Sequence, residues 1–355
     1  MNIRDAYNSK AIALVNTEVA SNKIAYLGTG LFPSKKKMGL DLKWIKTAKG
    51  LPVSLAPSNF DAKSTIRSRE GFKMTETEMA FFRESMLIKE SDEQEIMRVQ
   101  DSTDPYAAEV LNRIFDDANT LVDGANVVPE RMRMQLLAPS DGSPKIYIQA
   151  DGVTYAYNYD PNGTYKANNF AELKTTTDKW SDIENSDPMD DVSVAIDAVE
   201  EATGERPSIM IVSKKTMNYL KKNKKIKSAV LAQNTTANVF MTDARVKELF
   251  STELGISIIV YTKQYKDESG TAHKFYPDGF ATLIPNGALG STWYGTTPEE
   301  RTLMGNPAAD VRLVNTGVAV AVSVTEDPVQ TKTTVSEIVL PSYERMDSTY
   351  VIKCY

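Results

Sequence analysis

The chain reads as an α+β protein, on three observations. A long apolar helical period starts at 104, helix and strand patterns alternate over 187–285, and strand-like runs close the sequence at 317–324 and 335–355. Its 355 residues are 41% hydrophobic and 25% charged, ordinary globular composition with room for about two domains. No stretch approaches the ~20 apolar residues that span a bilayer. The N-terminus lacks the basic start, apolar core and cleavage site of a signal peptide. A single cysteine, Cys354, excludes an internal disulfide framework and fits a reducing compartment.

Residues 1–34 carry no sustained amphipathic period and end in the loop-like GTGLFPS, so they read as an N-terminal arm. Between 38 and 90 the short runs LDLKWI, LPVSL and FKM are broken by Gly50, Pro52, Pro57 and Gly71, a pattern of hairpin and loop. Asp104-Pro105 then supplies a cap and a first-turn proline. Ala107, Val110, Leu111, Ile114, Phe115, Ala118, Leu121 and Val122 follow at spacings of three and four, and ERMRMQLLA (130–138) resumes the period after Gly124 and Pro129. The expectation is one long helix, kinked or briefly broken at 124–129.

KIYIQADGVTYAYNYD (145–160) alternates about Asp151-Gly152 and predicts a hairpin. Residues 161–186 look like polar connector. Asp187-Pro188 starts a helix whose apolar face is Val192, Ala195, Ile196 and Val199 and which stops near Gly204. A buried strand (208–212), a basic helical region (214–232), an amphipathic helix (241–253) and a second apolar strand (256–261) complete an α/β unit.

Chemistry is hard to find. His273 is the only histidine, and no GxSxG, GxxxxGK[ST], GxGxxG or calcium-loop spacing occurs. Counts of one His and one Cys exclude a metal site built from those ligands. ESDEQE (90–95) and WSDIENSDPMDD (180–191) read as a solvated face and a helix start. The lysines of 214–227 read as a solvated helix face. No catalytic, cofactor-binding or metal-binding residue is assigned and no cofactor is expected; a carboxylate-dependent enzyme on the α/β unit stays open as the contrary reading.

Charge distribution is more informative. The chain carries a net −6, yet 35–73 holds ten Lys/Arg against three Asp/Glu, a local +7. Directly after it, 74–123 holds thirteen acidic residues against four basic ones, a local −9. An isolated two-stranded hairpin is marginal in water and needs a surface to lie on. The basic segment could fold back on its own acidic helix, reach the same helix of another copy as a head-to-tail contact, or remain a mobile loop.

The order of these features resembles the lambda-type major capsid proteins of tailed phages, the capsid protein E family. The resemblance is carried by PERMRMQLLAPSDGSPKIYI (129–148), by VYTKQYKDESGTAHKFYPDGFATLIPNGALGSTWYG (260–295), by VLPSYERMDSTYVIKCY (339–355), and by the succession of arm, basic hairpin, acidic helix, α/β unit and terminal strands. It implies the Hong Kong 97 capsid fold. The N-terminal arm would be 1–35 and the extended E-loop 36–85. The peripheral (P) domain with its spine helix would be 86–186 and the axial (A) domain 187–317, with C-terminal strands at 318–355 returning to the P domain. It implies a structural shell protein without enzymatic activity, forming hexamers and pentamers of an icosahedral head around double-stranded DNA contacted non-specifically. Scaffold and portal proteins, and in some relatives a decoration protein, would be its partners. There would be no membrane, and the virion, assembled in host cytoplasm, would be its location. A host-encoded nanocompartment shell of the same fold is the alternative. Under this reading the E-loop residues Lys63, Arg67, Arg69 and Lys73 contact a neighbouring subunit. Glu90, Asp92, Glu93, Glu95, Glu109 and Asp116 form the acidic seat.

Overall fold

The computed structural model describes residues 8–14, 25–45, 74–88, 105–150, 152–231, 240–267, 269–305, 310–326 and 329–355. After a helical stretch at 9–14 come α1 (Leu27–Leu31), β1 (Ser34–Lys36), β2 (Asp41–Ile45), β3 (Met74–Glu78), β4 (Ala80–Ile88), α2 (Pro105–Leu137), β5 (Lys145–Ala150) and β6 (Val153–Asn158). Next are α3 (Thr164–Asn168), β7 (Phe170–Glu172), α4 (Pro188–Thr203), β8 (Ile209–Ser213), α5 (Lys214–Lys222), α6 (Lys224–Leu231), α7 (Asp243–Leu254) and β9 (Ser257–Tyr261). The chain closes with β10 (Gln264–Lys266), β11 (Ala272–Lys274), β12 (Phe280–Ile284), β13 (Ser291–Tyr294), α8 (Pro298–Gly305), β14 (Val311–Leu313), β15 (Val318–Glu326), β16 (Val329–Ser342) and β17 (Tyr350–Lys353).

Contacts sort the chain into two units. The first comprises Met1–Lys43, Glu76–Met132 and Ser291–Ser342. Its sheet runs β1-β13-β16-β15-β14, and β4 pairs with the long β16 as well. The predicted apolar face of α2 does its work here. Ala118, Leu121 and Val122 are buried with Ile12 against Val318, Val320 and Val335 of the sheet. Gly317 leads into β15 because nothing larger fits: an added Cβ would lie 2.0 Å from the Tyr294 ring.

The second unit comprises Trp44–Thr75, Arg133–Gly290 and Tyr343–Tyr355. Its sheet runs β7-β17-β12-β8-β9. β8 and β9 are parallel, as a helical crossover between them requires, while β12 is antiparallel to both β8 and β17. Trp180, Val192, Ile196, Met210, Val212, Phe250, Leu283 and Ile352 fill the core on α4 and α7. Each such side chain contributes about 1.5–3 kcal/mol of transfer free energy. α4 is bounded as its sequence demands. Asp187 accepts from the Asp190 amide at 3.3 Å, Pro188 takes the first turn, and Gly204 ends the helix at φ 69.

Two expectations need correction, and a third gains detail. The long helix is there, and of the kink or brief break expected at 124–129 the break does not occur: α2 is a single helix of 33 residues with Pro129 inside it. An interior proline costs about 3 kcal/mol. The next two turns offset it by burying Met132, Met134, Leu136 and Leu137 completely. The connector 161–186 contains α3 and the short strand β7, which pairs in parallel with β17. The basic region is helical as expected, in two helices, because Asn223 turns its side chain to Ser186 and to the Ile226 amide, 3.0 Å away, and so caps α6.

Candidate assembly interface

The root of the basic hairpin is built in the first unit. β2 and β3 pair with each other, and the Met79 amide donates to the Leu40 carbonyl at 2.9 Å. Upstream, β1 lies parallel to β13, with Lys36 opposite Tyr294, and the Lys37 amide donates to the Tyr294 carbonyl at 2.8 Å. Lys35 sits 5.2 Å over the Trp293 ring, within cation–π range. Downstream, β4 pairs with β16 and places Arg83 opposite Ser336.

Both limbs then meet one short helix. Thr297, Pro298 and Glu300 give α8 a capping signature, and the Thr297 hydroxyl accepts from the Glu300 amide at 3.2 Å. Lys36 Nζ donates to Glu300 Oε2 at 2.7 Å. Arg83 Nη2 lies 2.5 Å from Glu299 Oε1 as an ion pair, and the Ser336 hydroxyl donates to Glu299 Oε2 at 2.5 Å. The two carboxylates are buried, with side chains 6% exposed, whereas Lys36 and Arg83 retain 29% and 51%. Stripping a partner from a fully buried pair costs about 3–5 kcal/mol; the wet cations here place these pairs below that range.

The sequence had singled out other residues. Lys63, Arg67, Arg69 and Lys73, and Glu90, Asp92, Glu93 and Glu95, lie outside the described residues. Glu109 falls within helix α2. Asp116 is exposed on the same helix, and its carbonyl accepts from the Thr120 hydroxyl at 2.8 Å. Sequence reasoning missed Glu299 and Glu300 altogether. The signal was available as Thr297-Pro298-Glu299-Glu300, a capping box with proline at the first helical position.

The histidine, the cysteine and the lysines of 214–227 have local surroundings of their own. His273 Nε2 is 2.7 Å from Asp267 Oδ2 at the tip of the β10–β11 hairpin. The Ser269 hydroxyl, then His273, hold the Asp267 carboxyl well below the usual range. Cys354 is buried, and that burial, with the Asp191 charge, pushes its thiol well up. Of the lysines at 214–227, Lys221, Lys224 and Lys225 pair with Asp243, Glu184 and Asp187 at 2.7–3.0 Å, and Lys215 covers the Tyr355 ring. Among the described residues, no three His, Cys, Asp or Glu side chains group to hold a metal ion, and no helix is long and apolar enough to cross a membrane.

The family described as phage major capsid protein E matches residues 15–353. No curated protein sequence is similar enough to count as a relative. Several solved structures share the fold. A prophage capsid protein of E. coli CFT073 has a TM-score of 0.60 at 17% identity, covering 98% of this chain and 99% of its own. A phage-related protein from Bordetella bronchiseptica RB50 scores 0.56 at 14% identity, covering 96% of each chain. A capsid chain of cyanophage A-1(L) scores 0.50 at 10% identity, covering 99% of this chain and 94% of its own. With nearly its whole length matched and the Hong Kong 97 capsid fold in place, the chain belongs to the phage major capsid protein E family, structural subunits of the virion's icosahedral head shell.

Proposed function

We propose that the hairpin rooted at Lys36 and Arg83 is an intersubunit clasp, laid on the acidic helix of a neighbouring subunit. The carrying observation is the charge step along the chain, +7 over 35–73 followed by −9 over 74–123. Lys63, Arg67, Arg69 and Lys73 are the clasp's cations, and Glu90, Asp92, Glu93, Glu95, Glu109 and Asp116 its seat. Charge complementarity of this kind sets partner orientation and register more than raw affinity. Repeated around a ring, the head-to-tail contact closes hexamers and pentamers.

In this reading 1–35 is the arm, 36–85 the E-loop, 86–186 the P domain, 187–317 the A domain and 318–355 the returning strands. The subunit performs no turnover. It assembles in host cytoplasm with scaffold and portal proteins, and encloses DNA that it touches without sequence preference. Its net charge of −6 suits a surface that must tolerate that polyanion without sticking to it.

The test is charge reversal. Arg67→Glu with Arg69→Glu should abolish shells and capsomers in negative-stain images while the thermal transition of the unassembled subunit stays within a degree or two of wild type. Equal loss of subunit stability would place the contact inside one chain and sink the clasp.

A further inference from the structure

The hairpin's two limbs come from opposite ends of a long excursion, yet both are tied to neighbouring residues of one helix. Lys36 precedes β2 by five positions and pairs with Glu300 at 2.7 Å; Arg83 follows β3 by five positions and pairs with Glu299. The anchors are buried carboxylates, so the fixed end of each pair is withdrawn from water while the cation reaches it from the solvent side. They are also themselves held. Thr297 caps the helix at the Glu300 amide, and Ser336, opposite Arg83 across the β4–β16 ladder, donates to Glu299.

From this arrangement we infer that Glu299 and Glu300 are positioning residues for assembly: they lock both limbs to the sheet and so fix the base from which the clasp departs. The inference rests on the clasp reading above. A carboxylate pair that served only to stabilise the unit could sit anywhere in it. One that grips each limb at matching distances from the excursion constrains the one feature that neither β2 nor β3 alone defines, the spacing and orientation of the two limbs at the root.

The experiment is Glu299→Gln with Glu300→Gln, which removes both charges while the Ser336 hydroxyl keeps an amide oxygen to donate to. Hydrogen exchange on unassembled subunits reads the root, and negative-stain microscopy reads assembly. The amides of Lys37 and Met79, bonded to Tyr294 and Leu40, should exchange about tenfold faster, the factor that one lost charge-assisted hydrogen bond corresponds to. Amides of the β15–β16 ladder should not change, and shell yield should fall. Lys36→Arg with Arg83→Lys, which keeps the charges, should assemble normally. Should the glutamine variant not fold, Lys36→Gln and Arg83→Gln, changed one at a time from the wet side, carry the same readouts.

Unchanged exchange at Lys37 and Met79 overturns the inference, as does faster exchange spread across the whole sheet, which would mark a merely structural pair. Loosened limbs with normal shells overturn it too where Arg67→Glu/Arg69→Glu still blocks assembly, since the clasp then works without a fixed base. Where that reversal is also harmless, the clasp reading is what fails, and the local exchange result alone upholds the grip on the limbs.

Discussion

The end of helix α2 offers the sharpest energetic test. In the second unit its last carbonyl, Leu137 O, accepts from the Thr282 hydroxyl on β12 at 2.6 Å. The same oxygen, Thr282 Oγ1, is 2.8 Å from the Tyr276 hydroxyl, which donates to the Ile211 carbonyl on β8 at 3.0 Å. Two hydroxyl protons serve three contacts, and Thr282 and Tyr276 are fully buried. Thr282→Val keeps shape and strand propensity but strands Leu137 O, one of the carbonyls that a helix end leaves without an internal partner. Losing the net hydrogen bond costs about 1 kcal/mol, and leaving a buried carbonyl unsatisfied adds about 1–3 kcal/mol. The expected loss is therefore about 2–4 kcal/mol. For a unit of roughly 200 residues that is a fall of about 4–16 °C in Tm. Thr282→Ser keeps the hydroxyl and forfeits one methyl, about 0.8 kcal/mol. Thermal and urea unfolding of unassembled subunits, followed through buried Trp180, would rank the two; shell contacts must be absent because binding adds stability by mass action. A valine variant within about 0.5 kcal/mol of wild type, or a serine variant that is the worse of the two, would refute the hydrogen-bond account in favour of packing.

Other consequences follow from single sites. Cys354 should resist iodoacetamide at pH 8 in the native subunit and react at least ~100-fold faster in urea, because burial both hides the thiol and disfavours its thiolate; equal rates would place it at the surface. Burial raises the Asp191 carboxyl, against the bond that it accepts from Trp180 Nε1 at 2.8 Å. A raised folded value means stability present below the ordinary aspartate range, near 4, and lost as pH climbs through the folded value. Asp191→Asn, whose side-chain oxygen still accepts from Trp180, should thus flatten the rise in stability on acidification and be no less stable at pH 7. A clear deficit there would show that the charge at the start of α4 is a net benefit. Gly317→Ala should cost about 1–3 kcal/mol in the first unit by driving a methyl into the Tyr294 ring, and a neutral result would mean that the ring moves freely.

Local chemistry made much of the fold legible. α4 shows its cap, first-turn proline, apolar stripe and terminal glycine within 18 residues, and each signal acts on its own neighbours. The hairpin β5–β6 is equally local, with Gly152 at φ 79 between strands of matched register. Legibility fails where the deciding partner is remote. β7 has three residues and no period to read; it is a strand because Phe170 meets Val351. Pro129 reads as a break because the burial that outweighs it lies in tertiary structure. Glu299 and Glu300 look like ordinary first-turn acids, and only Lys36, 264 positions from its partner, and Arg83 reveal what they hold.

The fate of the other basic segment bears on the clasp. Among the lysines of 214–227, three find carboxylates within their own unit at 2.7–3.0 Å, which is how a surface charge cluster is quieted inside one chain. The local +7 of 35–73 is placed differently: its first cations, Lys35, Lys36 and Lys37, are held at the root by the Trp293 ring, Glu300 and the Asp41 carbonyl, and the acidic surplus follows immediately at 74–123. Salt distinguishes a seat in the same chain from one in a neighbour. With a Debye length of about 8 Å at physiological ionic strength, exposed pairs weaken in either case. If the pairs close within a subunit, added salt lowers its unfolding midpoint at every protein concentration alike. If they close between subunits, salt leaves the isolated subunit's midpoint alone and raises the concentration at which shells appear. Sedimentation across a protein and salt series reads that threshold directly, and a threshold indifferent to salt would remove the electrostatic basis of the clasp.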